Sequence, residues 1–177
     1  MAFVAKAWYN SVTPCGQAAR QFAKREGKRM PVSFALLTPG DALWERLRAY
    51  AEGCSWSAGK ALSEAMREGA FADWERVIAA VRDGEVCGYC TVAKTDCIPD
   101  APYTPYIGFL FVGEPHRGHR LSERMIGFAS DYLKGVGFDR VYLVSDHENL
   151  YERYGFAVID RRMASWGTMQ KIYMRRL

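Results

Sequence analysis

The sequence predicts a mixed α/β domain, and three observations carry that reading. Residues 76–95, RVIAAVRDGEVCGYCTVAKT, are two strand-like runs joined by Asp83-Gly84, the signature of a tight antiparallel hairpin. Residues 106–112, YIGFLFV, are apolar on both faces, as a central strand covered on both sides must be. A helical stripe over about 117–134 then leads to DRVYLV at 139–144, which makes a β-α-β crossover with parallel strands. The sheet is therefore expected to be mixed, with helices on both faces.

Composition sets the scale. The chain has 177 residues, 49% hydrophobic and 25% charged, the make-up of one globular domain able to build its own core. Lys6 interrupts the start, and no segment approaches the roughly 20 apolar residues of a membrane span, so a cytoplasmic protein without a membrane partner is expected. Five cysteines, an odd number, are expected as reduced thiols. A net charge of +4 is too small to imply nucleic-acid binding by itself.

Residues 1–30 read as a basic helical extension, in which Thr13-Pro14 is a plausible start and Ala18, Phe22 and Arg25 follow at helical spacing. Its outer face is either solvated or a docking arm. Residues 31–177 form the domain. VSFALL is its first strand, and Thr38 is placed as the cap of a helix presenting Leu43, Trp44, Leu47 and Tyr50 on one side. A second helix is expected over about 58–68, with Ala61, Leu62, Ala65 and Met66 inward. After the hairpin, TDCIPDAPYTP contains three prolines and reads as a loop long enough to suggest a role. Gly108 in the central strand marks a bulge or a close backbone approach. The helix over 117–134 buries Leu121, Met125, Phe128/Ala129 and Tyr132/Leu133, and stops at KGVG. A short helix in ENLYERY and the strands GFAVID and MQKIYMRRL complete the chain.

Cys87 and Cys90 form a C-x-x-C, which in isolation suggests zinc or redox chemistry. Three apart on one strand, they are expected on opposite faces of the sheet, and no second pair accompanies them. No metal is expected.

The chemistry concentrates at HRGHRLS, residues 116–122, where the central strand turns into the long helix. Such a turn leaves backbone N–H groups unpaired at the positive end of a helix dipole, which is an anion site before any side chain is counted. Gly118 lets the backbone approach closely, and Arg117 and Arg120 are available for charge-assisted bonds. A pyrophosphate fits; a solvated helix start is the plainer alternative. Neither G-x-G-x-x-G nor G-x-x-x-x-G-K-[ST] is present.

Together with the order of elements, RGHRLS and LYERYGF (150–156) resemble the GNAT superfamily of acyl-CoA-dependent N-acyltransferases, over about residues 32–177. Arg117 and Gly118 match the opening of the family's turn, while Arg120 and Ser122 stand where two glycines usually do. The resemblance implies a mostly antiparallel sheet in which the central β-α-β unit splays apart near Gly108. It implies acetyl-CoA as cosubstrate, its pyrophosphate on the backbone of His119, Arg120, Leu121 and Ser122, its pantetheine arm and thioester on the main chain of Leu110, Phe111 and Val112. Tyr151 falls on the tyrosine commonly assigned as general acid.

Transfer of an acetyl group from a thioester to an amine also needs a neutral amine and a proton for the leaving thiolate. A phenol of pKa about 10 is protonated at neutral pH and suits the second task, which favours Tyr151 over Tyr154, whose plainer role is to pack beside Phe156. Relatives often carry a glutamate on the central strand, and YIGFLFV has none. His147 in SDHEN is the best candidate base, with Asp146 as a possible orienter and Glu114 a weaker option; a loop histidine bonded to backbone is the alternative. Trp56, Tyr103 and Tyr106, with Trp166 and the acids Asp96 and Asp100, are candidates for an acceptor pocket that holds a cationic amine, or are simply core and lid. The expected partners are acetyl-CoA and an amine acceptor, without nucleic acid, and a homodimer is compatible with them. A non-catalytic CoA-binding regulatory module of the same fold is the alternative to the enzyme.

Overall fold

A computed structural model of the protein describes residues 31–71 and 73–177; the basic extension expected over 1–30 lies outside the described residues. The chain runs β1 (Ser33–Leu37), α1 (Trp44–Gly53), α2 (Ala58–Arg67), β2 (Arg76–Arg82), β3 (Glu85–Ala93), β4 (Tyr106–Val112), α3 (Leu121–Val136), β5 (Arg140–Ser145), β6 (Ala157–Met163) and β7 (Met169–Arg176). The seven strands form one sheet in the order β1-β2-β3-β4-β5-β7-β6. Every neighbouring pair is antiparallel except β4 and β5.

Alternation of side chains divides the core into two layers. On one face, Leu121, Met125, Ile126, Ala129 and Leu133 of α3 pack on Ile78, Cys90, Ile107, Val141, Leu143 and Tyr173. On the other, Leu47 and Ala51 of α1 and Leu62 and Met66 of α2 pack on Val77, Ala79, Tyr89 and Phe111. A smaller cluster of Ile98, Tyr106, Tyr142 and Ile172 lies beside the second layer. The helices thus cover both faces, as expected.

Two irregularities in β4 position the site. First, Tyr89 pairs with Phe111 but Thr91 with Gly108, so Phe109 and Leu110 together oppose Cys90. Phe109 has φ +47°, a left-handed conformation costing a bulky residue about 1–2 kcal/mol. The bulge expected at Gly108 is centred on its neighbour. Second, β4 and β5 pair only at Tyr106 and Tyr142, with the Tyr142 N–H on the Pro105 carbonyl at 2.9 Å. Beyond that point the parallel strands part, and the β5-side edge of β4 is open.

The structure corrects several expectations. Thr38 does not cap α1: its N–H and hydroxyl both donate to Asp41 Oδ2, at 2.6 and 2.9 Å, closing a turn before the helix begins at Trp44. The long helix starts at Leu121 rather than 117, because a 3-10 turn at Glu114–His116 and the Arg117–Arg120 turn precede it. ENLYERY contributes only a 3-10 turn at Glu152–Tyr154, and the following strand runs to Met163. Cys87 and Cys90 share the α3-facing layer instead of facing opposite ways, because β3 carries an extra residue at Cys87, between the pairs Val81–Val86 and Ala80–Gly88. Both thiols are buried and free, and Cys87 Sγ meets the Ala80 carbonyl at 3.4 Å. No helix among the described residues is long and apolar enough to cross a membrane.

Candidate active site

At the start of α3, Gly118 (φ +80°) and Arg120 (φ +53°) are both left-handed, and the first intrahelical bond runs from the Arg124 N–H to the Arg120 carbonyl. Among the described residues no protein acceptor is assigned to the N–H groups of residues 118–123. A Cβ on Gly118 would meet nothing within 4 Å, so the turn is an open cradle of backbone donors at the positive end of a 16-residue helix. The four residues expected here contribute differently. Leu121 buries its side chain in the core and offers only its N–H, whereas His119 and Arg120 are exposed. The Ser122 hydroxyl shares a 3.1 Å hydrogen bond with the Tyr154 hydroxyl.

The arginines are committed locally. Arg117 folds back on the end of β4, its Nε donating to the Val112 carbonyl at 3.0 Å and its Nη2 to Glu114 at 3.0 Å, with the guanidinium 5.8 Å from the Phe111 ring. Arg120 forks onto Glu123 on the surface. Backbone, more than guanidinium, is therefore what this turn offers an anion. Glu114 also accepts from the Ser55 hydroxyl, and this bond, ahead of Arg117, holds its carboxyl below the usual range.

Leu110 and Val112 turn toward the α3 layer, and Phe111 toward the α1–α2 layer, where Trp56 stacks on it at 6.3 Å. Trp56 also meets Phe109 at 6.3 Å. Tyr103 and Tyr106 belong to the other small cluster, both against Tyr142. The three aromatic residues expected in an acceptor pocket thus divide into two walls on the same face of the sheet. Trp166 lies on the β6–β7 turn and donates to Thr168.

Tyr151 is buried, with its ring 6.2 Å from His147, 6.2 Å from Tyr154, 6.4 Å from Phe156 and 5.6 Å from Tyr173. Tyr151 packs beside Phe156, and Tyr154, packed against the same cluster, carries its hydroxyl to the first turn of α3. His147 follows β5, its Nδ1 2.9 Å from the Ser145 hydroxyl and 3.7 Å from Asp146, while its carbonyl accepts from Tyr173 at 2.8 Å. The ring is about half exposed. Phe109 is the site feature the sequence reading missed, and its only signal was the adjacent Gly108. A surface hollow of about 410 Å³ near Pro39, Trp44 and Arg67 is lined by none of these residues.

Comparison with known proteins agrees with this fold. No curated protein matches the chain. Among solved structures, a GNAT family N-acetyltransferase from Escherichia coli in complex with CoA superposes with a TM-score of 0.61 at 21% identity, covering 82% of this chain and 81% of that one. The aminoglycoside 6'-N-acetyltransferase from Enterococcus faecium gives 0.62 at 14% identity, over 81% and 96%. A GNAT family acetyltransferase from Elizabethkingia anophelis with acetyl-CoA bound gives 0.58 at 13%, over 82% and 98%. These likenesses establish the fold, and the model of the Acetyltransferase (GNAT) family matches residues 40–156: the chain belongs to that family.

Proposed function

We propose that the protein is an N-acetyltransferase that moves an acetyl group from acetyl-CoA to an amine by direct attack through a tetrahedral intermediate. The observation that carries this reading is the pairing of an open amide cradle at α3 with the gap where β4 and β5 part. The donors fit an anion, and the open edge of β4 fits an extended amide-bearing arm. In this reading the backbone of Gly118 through Ser122 holds the pyrophosphate, and the main chain of Leu110, Phe111 and Val112 holds the pantetheine arm. Acetyl-CoA supplies an activated acyl group and a thiolate leaving group. Backbone donors near a developing oxyanion contribute on the order of 3 kcal/mol each, and Tyr151 gives its phenolic proton to the departing sulfur.

The test has two stages. Acetyl-CoA at about a hundred times its Kd is expected to stabilise the protein by about 2.7 kcal/mol, a rise in Tm of about 5–10 °C for a chain of this size. Thiol release is then measured against a panel of amines. Binding without thiol release would identify the non-catalytic module, and no shift at saturating acetyl-CoA would remove the cofactor site.

His147, at the end of β5 and beside Tyr151, is proposed to assist removal of the amine proton. His147→Ala is expected to lower activity mainly below pH 8, with recovery as free amine becomes abundant. A pH–rate profile checks this, and a uniform loss would assign the ring to positioning.

A further inference from the structure

Asp96 lies on the loop between β3 and β4. Its Oδ2 is 3.1 Å, and the buried Thr91 hydroxyl 3.2 Å, from the point where a Cβ on Gly108 would stand. The carboxylate therefore reaches over the one residue of β4 that has no side chain. Gly108 lies between Tyr106 and Phe109, so it separates the two aromatic walls: Trp56, Phe109 and Phe111 on one side, Tyr103, Tyr106 and Tyr142 on the other. Tyr106 is 2% exposed, and its hydroxyl has no hydrogen-bond partner among the described residues. Leaving such a group unpaired costs more than a typical hydrogen bond contributes, so a bound group or water that reached it would relieve that cost.

The loop is held firmly. The Cys97 N–H donates to Asp96 Oδ1 at 2.6 Å, the Ser165 N–H to the Cys97 carbonyl at 3.0 Å, and the Tyr103 hydroxyl to Asp160 at 2.9 Å. Arg162 neutralises Asp160 at 2.7 Å. Asp96 has no such ion pair among the described residues. Burial raises its pKa, with the Cys97 N–H acting the other way, although part of the residue remains accessible. The other titratable groups that face it are the Cys97 thiol beside it and the Tyr106 phenol from β4, both pushed up first by burial and then by its charge.

We propose that Asp96 receives the ammonium group of the acceptor and takes its proton, which makes the acceptor a cationic alkylamine seated between two aromatic walls. The proposal rests on the acetyl-transfer reading above. Asp96 Oδ2 gains one proton from R–NH3+, and the freed lone pair forms the C–N bond to the thioester carbon. The C–S bond breaks, Tyr151 protonates the sulfur, and a proton left on nitrogen returns to the phenolate through solvent. Asp96, which takes the proton directly, then releases it to solvent, the step that His147 assists, so the products are an amide, a free thiol and one proton.

The test uses the full chain at saturating acetyl-CoA with 1,5-diaminopentane, spermidine and a lysine-containing peptide as alkylammonium probes. Asp96→Asn is expected to lower kcat/KM about a hundredfold at pH 7, with the loss narrowing as the pH approaches the amine's own value of about 10. Melting supplies a readout independent of activity. A carboxyl whose folded pKa is raised contributes stability while protonated and loses it as pH rises through that pKa, so Asp96→Asn should gain Tm over wild type with increasing pH. If Asp96→Asn does not fold, Gly108→Ala carries the test, because its methyl intrudes on the carboxylate and should give the same activity pattern. A folded Asp96→Asn that keeps most of its kcat/KM at pH 7 overturns the proposal and leaves acetyl transfer standing. A wild type that binds acetyl-CoA but turns over no alkylamine overturns it too. Absence of acetyl-CoA binding would instead be the failure of the underlying reading.

Discussion

Tyr151→Phe is expected to bind acetyl-CoA like the wild type and to lose no more than about 1 kcal/mol of stability, while its turnover falls by about two to four orders of magnitude. The substitution keeps the ring, and the ring is what the fold uses: it contacts His147, Tyr154, Phe156 and Tyr173 and belongs to the α3-facing layer. Only the phenolic oxygen is lost, and in the proposed reaction its proton goes to the departing thiolate. Tyr154→Phe is the control, because it removes a hydroxyl from the same short segment. That hydroxyl is bonded to Ser122, so its loss is expected to cost about 1 kcal/mol of stability and much less turnover. Single-turnover kinetics with both variants decide the assignment. If Tyr151→Phe keeps most of its rate while chemistry is rate-limiting, the sulfur takes its proton from elsewhere.

The elements that local pattern governs were legible in the sequence. The β2–β3 hairpin follows from two apolar runs around Asp83-Gly84, α3 from a stripe that repeats every three or four residues, and the parallel β4–β5 pair from the helix between them. What the pattern could not carry was parity across an irregularity. Alternation along β3 put Cys87 and Cys90 on opposite faces, and the extra residue at Cys87 put them on one. Phe109 is similar, since nothing in a phenylalanine announces a left-handed backbone; the conformation follows from the register of β3 against β4 on both sides of the bulge.

The open turn of backbone N–H groups was legible because it depends on a glycine and a helix start, both local. The fate of its arginines was not: Arg117 is held by the Val112 carbonyl and Glu114, partners that exist only once β4 has ended and the chain has turned. Local pattern also gave no partner for the Tyr154 hydroxyl, which meets a serine 32 residues earlier in the chain. Asp96 was visible as an acid in a proline-rich loop. Its place over Gly108 depends on how that loop is tied to the β6–β7 turn through Ser165 and Cys97.

Gly118→Val is expected to abolish the rise in Tm that acetyl-CoA produces, because a branched side chain would fill the cradle. The free protein has room for it, since no protein atom lies within 4 Å of a Cβ there, so the cost without ligand is the strain of a left-handed β-branched residue, about 1–2 kcal/mol. Gly84 offers a matched control. It has the same φ of +80°, equally open surroundings, and a position in the β2–β3 turn outside the cradle. Gly84→Val should therefore lose similar stability without ligand and still respond fully to acetyl-CoA. The two variants separate strain, which they share, from occupancy of the anion site, which only one disturbs. Thermal melts of both, with and without saturating acetyl-CoA, make the comparison directly. A full ligand shift in Gly118→Val would move the pyrophosphate away from this turn, and with it the placement of the acyl group in the gap between β4 and β5.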